Sequence, residues 1–333
     1  MQGLLYGQVF GQLGFVAALA AAPFLAPDPG AVALGVGLWQ LSRLLPLGLS
    51  RRPLAAKRVL IGVHLLAGMG LFLALVLRSV PLAYLAAGGA GVVEGWLMPV
   101  LNARLFDGPR AARANALYVA SSTGLPLLVW PFFGALVERA GPVGLLGVAG
   151  VFFFLRALSL IRMPSLLLPP AAAGTRGLFP VLLAMALMIL PLGFFSAFLP
   201  GRLGPLGYAI YSELFGLGTV LGALLAARWA DGFTLGGLAL ALGLLGYGVG
   251  AFGLGGLLYG LGLGALQVAG LGWLGRRHAG AFSGVLAALA AASALGGVLG
   301  ALLAALGNPI VALLLSLFGL ILGGFSLRWE RRP

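Results

Sequence analysis

Seven carboxylates, two histidines and no cysteine are available for chemistry in this chain, and the carboxylates fall singly along it. That spacing contains no D-x-x-x-D pair for magnesium diphosphate chemistry. It contains no H-E-x-x-H for zinc and no G-x-x-x-x-G-K-[ST] loop for nucleotide. Without cysteine there is no disulfide, thiolate metal site, iron–sulfur ligation or cysteine nucleophile. Membrane-embedded prenyl or phosphatidyl transferases, metalloproteases and self-powered ATP-driven pumps are therefore disfavoured. No catalytic residue, metal or cofactor is expected.

The polar residues that remain stand inside long apolar runs, where a charge costs at least about 2.5–3.5 kcal/mol and so normally faces a protein interior, a pathway or a partner. Glu94 is the principal case: it lies about twelve residues into its run, about 18 Å deep at 1.5 Å per residue. Arg43 lies at a similar depth in another run, so an Arg43–Glu94 ion pair is one reading. The other makes Glu94 a proton carrier or cation site. Glu213 follows Tyr208, Tyr211 and Ser212, a polar group that either lines a cavity or sits at the membrane interface, where Tyr is common. Gln8 and Gln12 are four apart and share a helix face; Gln267 is deep in its run. These amides either hydrogen-bond a solute or bridge neighbouring helices. His64, five residues inside its run, reads as a structural residue near an interface.

The elements that must position these groups follow from composition. The chain is 61% hydrophobic and 8% charged, against about 45–50% and about 25% for soluble domains. Its solvent is mostly lipid. A helix crossing about 30 Å of hydrocarbon needs about 20 apolar residues, and cutting at charge, Pro and Gly clusters yields twelve spans. They run over Leu4–Leu25, Ala31–Leu49, Val59–Leu77, Leu82–Ala103, Ala114–Val137, Val143–Ile161, Phe179–Leu199, Leu206–Ala227, Phe233–Gly250, Gly253–Gly275, Gly280–Leu306 and Pro309–Leu327. The cut between the ninth and tenth rests only on the Gly250–Gly255 stretch. The first run lacks the basic segment of a signal peptide and is read as a retained span.

The net charge of +13 would suggest nucleic acid in a soluble protein, but here the basic residues gather at the ends of apolar runs, as in cytoplasmic loops. With the N-terminus cytoplasmic, every Lys and Arg except Arg78, Arg139 and Arg202 falls on the cytoplasmic side, Arg43, Arg156 and Arg176 among them. The expectation is a multi-pass protein of the cytoplasmic (inner) membrane with both termini in the cytoplasm and no nucleic-acid partner. The hydrophilic stretch around Pro169, Pro170 and Arg176 divides the chain into an N-terminal six-helix bundle (1–163), a cytoplasmic linker (164–178) and a C-terminal six-helix bundle (179–333). Such duplication is a hallmark of transporters.

The halves echo each other. Leu47-Gly48-Leu49-Ser50-Arg51-Arg52, continuing through Lys57 and Arg58, follows span two, and Ala227-Arg228-Trp229-Ala230-Asp231-Gly232 follows span eight. These segments resemble the major facilitator superfamily, whose loop after span two typically reads G-x-x-x-D-R-x-G-R-R, with a weaker copy after span eight. Ser50 or Arg51 stands where that family carries the first motif's Asp, whereas Asp231 fits the second copy. The resemblance implies gating or structural roles for Arg43, Arg51, Arg52, Lys57, Arg58, Arg228 and Asp231. Pro131 and Gly134 resemble a degraded G-P-x-x-G element of family exporters, which tilts the reading toward export. In span eleven Gly280, Gly284, Ala288, Ala292, Gly296, Gly300 and Ala304 recur every four residues, and in span ten Gly256, Gly260 and Gly264 repeat the pattern. Small residues at this spacing let helix backbones approach closely in lipid.

The expected fold is all-α, major-facilitator-like. The expected function is secondary active transport of a small neutral or amphipathic solute by alternating access, with protons as the candidate coupling ion and a single chain sufficient. A membrane assembly or sensory protein that keeps the fold without transporting is the alternative.

Overall fold

The computed structural model describes residues 2–26, 28–105, 125–168, 170, 178–228, 231–277 and 282–329, and they are almost entirely helical. Arg110, Arg113, Arg176 and Gly280 lie outside the described residues. Helix α1 (Gln2–Ala21) runs through a short 3-10 turn (Ala22–Phe24) to α2 (Pro29–Ser42). Asp28 starts α2 by accepting hydrogen bonds from Gly30 N (3.0 Å) and Ala31 N (3.2 Å), and Pro29 fills the first turn, where no N–H is missed. The helix breaks at Arg43 because Pro46 has no N–H for the Ser42 carbonyl. It resumes as α3 (Leu45–Leu49).

The next elements are β1 (Leu54–Ala55), α4 (Ala56–Leu77), α5 (Val80–Leu105), α6 (Leu125–Ala140), α7 (Pro142–Leu160) and β2 (Leu167–Leu168). The two short strands pair antiparallel, Leu54 with Leu168 and Ala55 with Leu167. The segment expected to be only a linker thus begins as a strand tied to the loop before α4. Helix α4 shows how the packing follows from periodicity. Leu60, His64, Ala67, Leu71 and Ala74 are buried, while Leu66, Met69, Leu73 and Val76 face outward. A surface of that kind is stable only in lipid.

Helix α8 (Phe179–Arg228) is 50 residues long and contains one non-helical residue, Gly204 (φ 69°, ψ 179°), immediately before Pro205. Met188 and Phe215 would be about 40 Å apart along a straight helix, yet both touch Tyr259: its hydroxyl donates to Met188 O, and its ring lies 6.3 Å from that of Phe215. The two arms of α8 therefore lie side by side, folded at Gly204, where only glycine adopts the required φ without strain. The sequence cut between Leu199 and Leu206 falls at this fold. Helices α9 (Gly232–Gly248), α10 (Phe252–Arg277), α11 (Phe282–Ala305) and α12 (Pro309–Trp329) complete the chain. The turn between α9 and α10 has Gly250 at φ 77°, which the Gly250–Gly255 stretch anticipated.

Among the described residues, eight segments are long and apolar enough to cross a bilayer, one of them the 48-residue Phe179–Ala226 stretch that contains the fold in α8. This is a multi-pass membrane protein. Helices α1, α4, α5 and α7 pack chiefly on one another, as do α8–α12, while α2 packs on α5 and on α11 and α6 on α1 and on α8, joining the two groups. The small-residue stripes sit where backbones touch. A Cβ at Gly296 or Gly300 would collide with the Ala186 or Leu190 carbonyl of α8, and one at Gly260 or Gly264 with the Phe215 or Thr219 carbonyl.

Candidate functional site

Three helices converge on Glu94. Its side chain is 2% exposed, and its two oxygens have different partners. Arg156 Nη2 of α7 donates to Oε1 at 2.5 Å, and His64 Nε2 of α4 lies 2.9 Å from Oε2. Both partners are fully buried. The approach depends on α1: a Cβ at Gly11 would stand 2.9 Å from Glu94 Oε2 and 3.3 Å from Arg156 Cγ, so only glycine leaves room for the cluster. Arg156 also reaches Met98 Sδ (3.7 Å) and Ser159 Oγ (3.4 Å). His64 Nδ1 lies 2.7 Å from the Leu60 carbonyl, and its ring is 5.9 Å from that of Phe153. A buried carboxylate held by a guanidinium and an imidazole can store a charge or exchange a proton. The His–carboxylate contact is the part able to change protonation state.

This arrangement corrects one expectation. Glu94 does not pair with Arg43; Arg43 instead caps the end of α2 and lies 5.9 Å over the Trp39 ring. Equal depth was a sound premise, but depth does not specify the face of a helix. Arg156, counted among the basic residues of the cytoplasmic side, lies inside α7, four residues before Leu160. The rule that singled out Glu94, a charge flanked by apolar residues on both sides, would have found it. His64 is fully buried, with its ring bonded to Glu94.

The other candidates are dispersed. Gln8 and Gln12 are buried on α1, and Gln8 Nε2 has no hydrogen-bond partner. Gln40 of α2, which the sequence reading passed over, is fully buried against Gly297 of α11 with neither amide atom paired. Tyr208 and Tyr211 belong to an aromatic cluster where the two groups of helices meet. The Tyr208 ring packs edge-on against Phe24 of the 3-10 turn and Trp130 of α6, and Tyr211 shares a hydroxyl hydrogen bond with Tyr247 of α9 at 2.8 Å. Glu213 is half-buried on the second arm of α8 and Gln267 is exposed on α10, so neither joins the Glu94 cluster.

Of the motif residues, Arg51, Arg52, Arg58 and Arg228 are exposed. Lys57 Nζ donates to the Ile161 carbonyl at 2.5 Å, tying the start of α4 to the end of α7. Asp231 starts α9, accepting from Thr234 N (3.1 Å) and Thr234 Oγ1 (2.5 Å). Pro131 and Gly134 fall where α6 crosses α8: a Cβ at Gly134 would lie 2.9 Å from Pro205 O. Among the described residues no group of three or more His, Cys, Asp or Glu could hold a metal ion.

No family model matches the sequence, and no curated protein is similar to it. Solved structures are similar in fold. A POT peptide transporter in complex with sulfate aligns over 99% of this chain and 94% of its own, with a TM-score of 0.75 at 14% identity. An auto-inhibited POT family peptide transporter aligns over 100% and 96% (TM-score 0.71, 13% identity). The chain has the major facilitator fold. The nucleoside transporter NupG aligns over the full length of both chains, with a TM-score of 0.66 at 13% identity. At these identities the likeness is one of architecture, with the Glu94 cluster, the Tyr208–Tyr247 aromatics and the α2–α11 contact as this chain's own furnishing of it.

Proposed function

We propose that this chain is a secondary transporter that moves a small neutral or amphipathic solute across the cytoplasmic membrane by alternating access. The observation that carries the reading is the alignment of essentially the whole chain with solved peptide and nucleoside transporters. In this reading the chain makes twelve crossings, the fold at Gly204 separating two of them, and forms bundles of residues 1–163 and 179–333 joined by 164–178. Both termini are cytoplasmic, and one copy supplies the whole pathway.

The solute class is supported by what the interior offers. Among the described residues, away from the compensated Glu94 cluster, the buried polar side chains are amides and hydroxyls, such as Gln8, Gln12, Gln40, Ser196 and Ser293, beside a dense set of aromatic rings. Groups of that kind hydrogen-bond and stack on a solute but do not neutralise multiple charges. Export is the favoured direction, because Pro131 and Gly134 resemble a degraded form of the G-P-x-x-G element of family exporters. Arg228 and Asp231, at the junction of α8 and α9, hold one closed state.

A thermal-shift screen of the detergent-purified chain against neutral metabolites and amphipathic drugs tests this reading. Binding to the folded state alone stabilises by about 2.7 kcal/mol at 100 times Kd. A stabilising compound should then exchange by counterflow in proteoliposomes. A screen without stabilisation, or hits without counterflow, would favour an assembly or sensory protein with a transporter fold.

A further inference from the structure

The antiparallel pairing of Leu54 with Leu168 and Ala55 with Leu167 gives the short ribbon two faces, because successive side chains of a strand point oppositely. Leu54 and Leu168 are buried in a small apolar core with Leu60, Leu97, Leu101 and Leu160. Ala55 and Leu167 take the other face, where Leu167 is 71% exposed. On that face a cavity of about 220 Å³ lies between the ribbon and the start of α4, walled by Ala55, Lys57, Arg58, Ser165, Leu166 and Leu167. It shares no wall with the Glu94 cluster, the α2–α11 contact or the α6–α8 crossing.

The walls of this cavity are positive. The two segments that meet here, residues 50–58 and 161–168, carry Arg51, Arg52, Lys57, Arg58 and Arg162, and no acid occurs between Asp28 and Glu94 or between Glu138 and Glu213. Lys57 gives one hydrogen to the Ile161 carbonyl and keeps two. Arg58 is exposed, and among the described residues it has no ion-pair partner. The backbone adds to the field: Ala56 N donates to the Leu166 carbonyl at 3.1 Å, but Ala55 supplies no side-chain cap, so the positive end of α4 stands at the edge of the cavity. A hollow with cationic walls selects an anion. Its exposed leucine selects an anion that carries apolar substance with it.

We propose that this cavity seats the phosphate of an anionic phospholipid, and that the seated lipid fastens the start of the 164–178 segment to α4. The phosphate oxygens accept from Lys57 Nζ, Ser165 Oγ and the Arg58 guanidinium, which alone can offer two parallel donors. The glycerol leaves past Leu167, and the acyl chains lie along the outward side chains of Leu158 and Ile161, 59% and 55% exposed at the end of α7. A free phosphate would fill the same seat but leave Leu167 uncovered. The seat does not depend on transport: a chain that exchanged no solute would hold the lipid equally well. With both termini in the cytoplasm, as proposed above, it faces the inner leaflet.

The test uses the full chain purified in detergent, with phosphatidylglycerol titrated into the micelles and phosphatidylcholine of the same chains, which has no net charge, in parallel. Native mass spectrometry counts the lipid retained, and tryptophan fluorescence follows thermal unfolding. One phosphatidylglycerol should be retained per chain and raise the unfolding temperature; phosphatidylcholine should do neither. R58Q, at an exposed position, should weaken retention about fivefold, and K57Q/R58Q about thirtyfold. R51Q/R52Q removes the same charge from the same loop without altering a cavity wall, and its loss should be at least about tenfold smaller than that of K57Q/R58Q. Equal losses in the two double variants would mean general attraction of a basic loop for anionic micelles and would overturn the site, as would unchanged retention in R58Q. R58Q leaves the Lys57–Ile161 hydrogen bond in place, so it decides even if K57Q/R58Q fails to fold. Inorganic phosphate, exchanged for chloride at matched ionic strength, separates the two sources of the anion. If it displaces phosphatidylglycerol and stabilises the chain as well as the lipid does, the lipid assignment falls.

Discussion

Replacing Arg156 with Met should expose how strongly the Glu94 cluster holds the first six helices together. The guanidinium nitrogen and the carboxylate oxygen are 2.5 Å apart and both side chains are buried. Charge centres about 4 Å apart interact by about 4 kcal/mol at an effective dielectric of about 20, and breaking buried pairs by removing one partner costs about 3–5 kcal/mol. His64 remains beside Glu94 and offsets part of that loss, so the cost expected for R156M is about 2–4 kcal/mol. Met fills most of the volume, so little of this is cavity. In the double variant E94Q/R156M no buried carboxylate is left to compensate, and its cost should fall at least about 2 kcal/mol below the sum of the single costs. Unfolding titrated with SDS in mixed micelles and followed by fluorescence of the 6 tryptophans measures all four corners of this cycle. An R156M variant within about 0.5 kcal/mol of the parent, or a double variant whose cost equals the sum, would refute the argument that the pair is energetically coupled.

Other perturbations separate specific contacts. G300V should destabilise by at least about 1–3 kcal/mol, because its Cβ would land on the Leu190 carbonyl, whereas G37A, whose nearest neighbour is Ala301 Cβ at 3.9 Å, should change stability little; the same SDS titration compares them. Y211F should cost about 1–3 kcal/mol by leaving the Tyr247 hydroxyl without its 2.8 Å partner, and Y211F/Y247F should recover part of that loss; a double-variant cost equal to the sum of the Y211F and Y247F costs would show that the two hydroxyls are not coupled. D231A should cost about 1 kcal/mol by removing the cap of α9, while D231N retains most of it, as read by thermal unfolding.

The helical architecture was legible in the chain because lipid imposes one rule on every segment: backbone groups must bond internally and side chains must be apolar over the membrane's thickness. The run read as Val143–Ile161 is α7 (Pro142–Leu160), and the run read as Val59–Leu77 lies within α4 (Ala56–Leu77), because charge and proline mark where that rule stops applying. The Gly-x-x-x-Gly stripes likewise announced where backbones would touch, since a missing side chain at every fourth residue has that consequence on any helix.

The site was legible only in part. Glu94 stands out because a carboxylate in an apolar run needs a partner, but sequence depth points to Arg43, whereas the partner is Arg156. Arg156 lies inside the run read as Val143–Ile161 but counted only toward the cytoplasmic charge. The packing of α7 against α1 and α4 buries it, with Gly7 and Gly11 opening the space. Gln40 and Gly297 are 257 positions apart, and nothing local joins them. Their contact exists because α2 crosses α11. One-dimensional periodicity determines which residues lie inside a helix bundle, since burial is a property of each helix face. Which buried residues meet depends on how the helices are rotated and crossed, and only the tertiary structure decides that.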